Sequence, residues 1–170
     1  QNVTIINVDF NGATADHDFI KNEGSPSGKN YNTTLLVENC SFTGNPEFDV
    51  VGIRAIHPTH TQIVNCTADG LHSLLQNTGG QKVTADNVVV INGKEGGLAL
   101  GGVRTADVKN SEITANGYGI RIDAATPNAV FNIESSEFNA YIPVIARKAT
   151  AQNVNFTFSG ENTMTQTNDD

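Results

Sequence analysis

Val3-Thr-Ile-Ile-Asn7-Val-Asp-Phe10, Leu35-Leu-Val-Glu-Asn39-Cys-Ser-Phe42 and Thr61-Gln-Ile-Val-Asn65-Cys-Thr-Ala68 are three writings of one pattern. Four more follow: Val83-Thr-Ala-Asp-Asn87-Val-Val-Val90, Ala106-Asp-Val-Lys-Asn110-Ser-Glu-Ile113, Phe131-Asn-Ile-Glu-Ser135-Ser-Glu-Phe138 and Ala149-Thr-Ala-Gln-Asn153-Val-Asn-Phe156. In each, apolar or small residues stand four and two positions before the Asn and one and three after it. The positions between are mostly polar. Alternation with a period of two is the mark of a strand, and the change of phase across the Asn marks a one-residue bend into a second strand. About ten residues further lies a third apolar segment, as in Val51-Gly-Ile-Arg-Ala55, Gly97-Leu-Ala-Leu-Gly101 and Gly119-Ile-Arg-Ile-Asp123. Three strands thus make one turn.

The bend positions Asn7, Asn39, Asn65, Asn87, Asn110, Ser135 and Asn153 are separated by 32, 26, 22, 23, 25 and 18 residues. A constant strand unit with loops of variable length is a solenoid, in which each turn leaves an apolar edge that its neighbour must cover. Asn suits a left-handed bend, and its amide both donates and accepts, so a ladder from turn to turn is expected, with the Asn side chains inside. Ser135 breaks it and should be the weaker link. The expectation is an all-β parallel β-helix of about seven turns over residues 1–159. Residues 160–170 lose the alternation and read as a polar tail, linker or end cover.

These residues resemble the right-handed parallel β-helix superfamily, the pectate-lyase-like fold. The resemblance rests on the bend Asn and on strands such as Gly117-Tyr-Gly-Ile-Arg-Ile122 and Gly96-Gly-Leu-Ala-Leu100. Phe42-Thr-Gly-Asn45 and Gly96-Gly-Leu-Ala99 are similar to short signatures of bacterial surface β-helix repeats. The superfamily holds polysaccharide lyases, glycoside hydrolases, phage tailspikes and surface adhesins, so the resemblance implies right-handed winding and leaves the activity open.

The chain has 170 residues, enough for one domain, with 16% charged residues, a net charge of −8 and no Trp, beside 21 Asn, 18 Thr and 16 Gly. Sparse Lys and Arg argue against nucleic acid, and no apolar run reaches the length that crosses a bilayer. The chain begins at Gln1 and shows no capping helix there, which leads us to expect a processed or excised part of a longer chain.

Carbohydrate cleavage needs paired carboxylates, or a basic residue beside acidic calcium ligands. The outward column of the third strand reads Arg54, Leu75, Ala99, Arg121 and Ile145, with Asp123 and Arg147 two residues on. Arg54 and Arg121 fall three turns apart, roughly 14 Å at one strand spacing per turn, and no acid cluster accompanies either. Arg54, Arg121, Asp123 and Arg147 are therefore candidates for binding an anionic sugar, and no catalytic set is assigned. His17, His57, His60 and His72 supply no complete ligand set, so no metal or cofactor is expected. Cys40 and Cys66 share one column in adjacent turns at about 5 Å, within disulfide reach, but with parallel side chains they read as small buried thiols. The Asn-x-Ser/Thr triplets at Asn39 and Asn65 are read as ladder residues, not glycan acceptors.

The expectation for function is a non-catalytic, secreted or cell-surface bacterial β-helix domain. It would act as a rigid scaffold or adhesin-like surface whose partner is a polysaccharide or host surface glycan. The rival is a lyase or hydrolase acting on an acidic polysaccharide.

Overall fold

The computed structural model describes residues 2–23, 33–45, 47–123, 127–147 and 154–168. The first winding holds β1 (Asn2–Ile6), β2 (Asp9–Phe10) and β3 (Asp18–Glu23), and the second β4 (Thr34–Glu38), β5 (Ser41–Thr43) and β6 (Val51–Ile56). β7 (His60–Asp69) runs through the first bend before β8 (Ser73–Thr78), and β9 (Lys82–Gly93) does the same before β10 (Gly96–Gly101). β11 (Thr105–Lys109) precedes β12 (Glu112–Asp123), and β13 (Ala129–Glu134) precedes β14 (Glu137–Arg147). β15 (Val154–Ser159) and β16 (Thr163–Gln166) end the stack. Every pairing is parallel and joins a strand to its counterpart one winding away, as in Val37 to Ile63, Ile63 to Ala85 and Val108 to Ile133. The protein is an all-β parallel β-solenoid.

The turn count differs from the expected seven: about five windings are complete. The second to the sixth carry almost all of the buried core. β1 and β15–β16 stack on its two ends with mostly exposed side chains, because an end strand has a neighbour on one side only. Inside, the columns that the sequence marks as apolar are sealed, among them Val37, Ile63, Ala85, Val108 and Ile133 on the first face and Phe42, Ala68, Val90, Ile113 and Phe138 after the bend. Each larger member contributes about 1.5–3 kcal/mol by leaving water.

The Asn ladder lies outside, contrary to the expected inward placement. Asn7, Asn39, Asn65, Asn87, Asn110 and Ser135 all take positive φ, between 46° and 58°, and their side chains are exposed. A left-handed residue swings its Cβ out of the corner, so the residue after it points inward. Asn87 Nδ2 donates to Asn65 Oδ1 at 2.9 Å and Asn65 Nδ2 to Asn39 Oδ1 at 3.1 Å; Asn110 turns instead to Asp86 at 3.0 Å. A second, inner ladder runs beside it. Val88 N–H donates to Ser111 Oγ, Ser111 N–H to Ser136 Oγ, and Ser136 N–H to Asn162 Oδ1, at 3.0–3.2 Å. Cys40 and Cys66 occupy the same inner column, as free thiols donating to the carbonyls of Glu38 and Val64.

Asn153 falls outside the described residues. β15 pairs with β13 so that Ser159 faces Glu134, which puts Gly160, with φ +70°, on the bend after Ser135. Glycine adopts this conformation without the Cβ clash that other residues meet. The segment expected as a tail from residue 160 therefore supplies a bend and the strand β16, which pairs with β14.

Candidate functional site

The third face is built from β3, β6, β8, β10, β12 and β14, and its outward column reads Lys21, Arg54, Gln76, Ala99, Arg121 and Ile145. Leu75, expected in this column, is fully buried and stacks with Ile53 and Leu98. The correction is a shift of one residue, since Ser73-Leu74-Leu75 turns the corner with all three side chains buried, and an apolar pair at a corner has no readable alternation. The spacing of Arg54 and Arg121 by three windings stands.

Small residues leave a depression on this face. It is lined by Gln76, Thr78, Ala99, Gly101, Arg121 and Asp123 among others, with a volume of about 360 Å³. Its floor is low because Ala99 and Gly101 carry almost no side chain between the longer residues of neighbouring windings. Amide, hydroxyl, guanidinium and carboxylate groups all border it, which is the mixture of donors and acceptors that hydroxyl-rich ligands use.

Arg121 is the best-held side chain here. Its Nη1 donates to Glu95 Oε1 at 2.6 Å and its Nε to Asp123 Oδ2 at 2.8 Å. Its guanidinium stands 4.5 Å from the centre of the Tyr118 ring, a cation–π contact. Only 17% of the side chain is exposed. Burial alone would lower its pKa, but Tyr118, Asp123 and Glu95 outweigh it and the guanidinium stays charged. Burial pushes the Tyr118 phenol up to about 12, against the opposing field of Arg121. The ring lies across Gly96, where a Cβ would fall 2.2 Å from a ring carbon, so this position admits no larger residue.

The network continues along the corner before the third strands. His72 contacts Glu95 through Nε2 and Asp49 through Nδ1, and Lys94 approaches Asp49 and donates to the Phe48 carbonyl. At the other end Arg147 Nε is 3.9 Å from Asp123. Arg54 is paired separately with Asp18 at 2.7 Å. Arg121, Asp123 and Arg147 are therefore brought together, Arg54 stands apart, and all three arginines are already matched by carboxylates of the chain. Asp18 reaches Arg54 and Glu95 reaches Arg121 from neighbouring windings, which linear spacing does not display, whereas Asp123 lies two residues along the same strand as Arg121.

Glu95, Tyr118 and Gln76 were not singled out from sequence, and His72 was weighed only as a metal ligand. The usable signal was Gly96 opposite Tyr118, a glycine one winding away from an aromatic in the same column. His57 is the left-handed residue of a third corner shared with Gly79 and Gly102, and His60 Nε2 meets Thr84 Oγ1 at 2.9 Å on the first face. Burial and the nearby Lys82 lower the His60 pKa. Among the described residues no group of three or more His, Cys, Asp or Glu is placed to hold a metal ion. Comparison of the chain with protein families, with curated proteins and with solved structures finds no match to any of them.

Proposed function

We propose that this β-solenoid is a non-catalytic recognition scaffold of the pectate-lyase-like, adhesin type, secreted or displayed on a bacterial surface, with the third-face depression as its glycan contact. The observation that carries the reading is the pairing of Arg121 with Glu95 and Asp123, and of Arg54 with Asp18. An arginine poised to receive an acidic sugar, or to draw off its proton, would need a free guanidinium edge. Arg121 spends its Nη1 and Nε on carboxylates of its own chain. By the same geometry the rival lyase reading loses Arg121 as its basic residue. A shallow floor bordered by Gln76, Thr78 and Asp123 favours sugar hydroxyls over carboxylates. Without a Trp or an exposed ring beside it, binding is weak, with Kd on the order of millimolar.

The test is a titration with neutral and acidic oligosaccharides followed by NMR, alongside incubation with pectin, alginate and glycosaminoglycans with and without calcium. We expect shifts confined to the third face, strongest for neutral sugars, and no new reducing or unsaturated ends. Turnover that disappears in Asp123→Asn would overturn the scaffold reading.

A further inference from the structure

The third-face depression is a notch in one winding rather than a trough along the stack. Down the outward column Lys21, Arg54, Gln76, Ala99, Arg121 and Ile145, only Ala99 stops at Cβ. Two residues on, Gly101 stands between Thr78 and Asp123 in the same register. Ala99 and Gly101 thus form a floor about 7 Å long at one strand rise per residue, between walls on β8 and β12 about 10 Å apart at two strand spacings. The walls shade the floor: Ala99 points outward yet is only 5% exposed.

The two ends of the notch differ. Toward the start of β10 the Tyr118 ring lies across Gly96, and the Arg121 guanidinium stands 4.5 Å from the ring centre and is tied to Glu95. Ring and guanidinium close that end in two layers. Toward the third corner the lining among the described residues passes from Gly101 to Gly102 and Gly79, which bear no side chain. Gly102 and Gly79 hold positive φ, 65° and 70°, and a Cβ at Gly79 would fall 2.3 Å from the His57 ring. The low exit is therefore built into the backbone.

This shape selects among the ways a glycan could lie on the face. A chain running along the stack would have to climb over Gln76 and Arg121. A chain running along β10 is stopped at Tyr118 and Arg121. A chain end can enter from the third corner and halt there. The volume of about 360 Å³ is near the lower bound of small-ligand pockets, about 300 Å³, which leaves room for a ring or two. Charge narrows the choice further. Arg121, the cation of the lining, is matched by Asp123 and Glu95, so the rim holds out no unpaired positive charge to an acidic sugar. Gln76, Thr78 and Asp123 present amide, hydroxyl and carboxylate groups to sugar hydroxyls instead.

Taking the third face as the glycan contact, on which this rests, we propose that the notch receives the terminal residue of a neutral glycan, entering from the Gly79–Gly102 corner, and no internal segment. Amide NMR titrations with maltose, cellobiose, linear maltohexaose and cyclomaltohexaose test this, since the cyclic sugar has the linkages of maltohexaose and no end. Maltose and maltohexaose should shift the amides of Ala99, Gly101 and Gly102 with Kd values within about threefold of each other, both on the order of millimolar. Cyclomaltohexaose should shift none of them. Shifts of these amides by the cyclic sugar, or an affinity that climbs with the number of internal rings, would overturn the end-binding geometry while leaving the third face a glycan contact. No shift there with maltose, cellobiose or maltohexaose would overturn both. Ala99→Leu, which fills the floor, should abolish the shifts once circular dichroism confirms the fold. Gln76→Ala, at a half-buried wall position, should weaken binding about 2- to 10-fold through loss of a hydrogen bond. Wild-type affinity in either variant would count against the notch.

Discussion

Replacing Asn65 by Ala and, separately, by Gly measures what holds the outer corner. Asn65 has φ +52°, donates to Asn39 and accepts from Asn87, and its side chain is exposed. A left-handed conformation costs an ordinary L-residue about 1–2 kcal/mol, and Asn bears it better than Ala. The two amide bonds face water, so each adds little, about 0.5 kcal/mol at the low end of the range for hydrogen bonds. Asn65→Ala should therefore lose about 2 kcal/mol and Asn65→Gly about 1 kcal/mol or less, since glycine keeps the backbone conformation while losing only the ladder. In urea unfolding the midpoint should fall in that order with the slope unchanged. By thermal melting, Asn65→Ala should melt about 4–8 °C lower at this chain size. Equal losses for the two variants would refute the reasoning, because they would make the side-chain ladder, not the left-handed backbone, the source of stability.

Arg121→Ala removes two charge-assisted bonds and uncovers Tyr118, so it should destabilise by about 2–3 kcal/mol, against about 1 kcal/mol for the single, more exposed pair of Arg54→Ala, as read from denaturant midpoints. The raised phenol of Tyr118, about 12 against 10.0, contributes stability that is complete below pH 10 and is lost as pH rises toward 12, by about 1–2 kcal/mol. Melting across this alkaline range should show less of that loss in Tyr118→Phe, and an equal loss would remove Tyr118 as its cause. Cys66 is buried with its thiol raised to about 11, chiefly by desolvation. Iodoacetamide at pH 8 should spare it in the native protein and label it after unfolding; rapid native labelling, followed by mass spectrometry, would contradict its placement in the inner column.

The candidate site was legible only in part. Arg121, Asp123 and Arg147 stood out because a charged residue in an alternating strand must face outward, and they do share one face. Glu95 did not, because it sits at a corner, where no alternation tells inside from outside. Gly160 was passed over as a corner for a related reason. Ala149-Thr-Ala-Gln-Asn153 repeats the pattern around an Asn, but Gly160 is equally able to take the left-handed corner, and the pairing of β15 with β13 places it there.

Period-two alternation and a turning residue at regular intervals were enough to determine parallel strands, three to a winding, and most of the columns that fill the interior. Both are local consequences of pleat and backbone sterics. Which way the corner side chain points, which carboxylate reaches which guanidinium, and how many windings close a core depend on contacts between residues some 22 to 36 positions apart. Those distances along the chain collapse to one strand spacing only after the windings have stacked, so the ion pairs between windings belong to the tertiary structure alone.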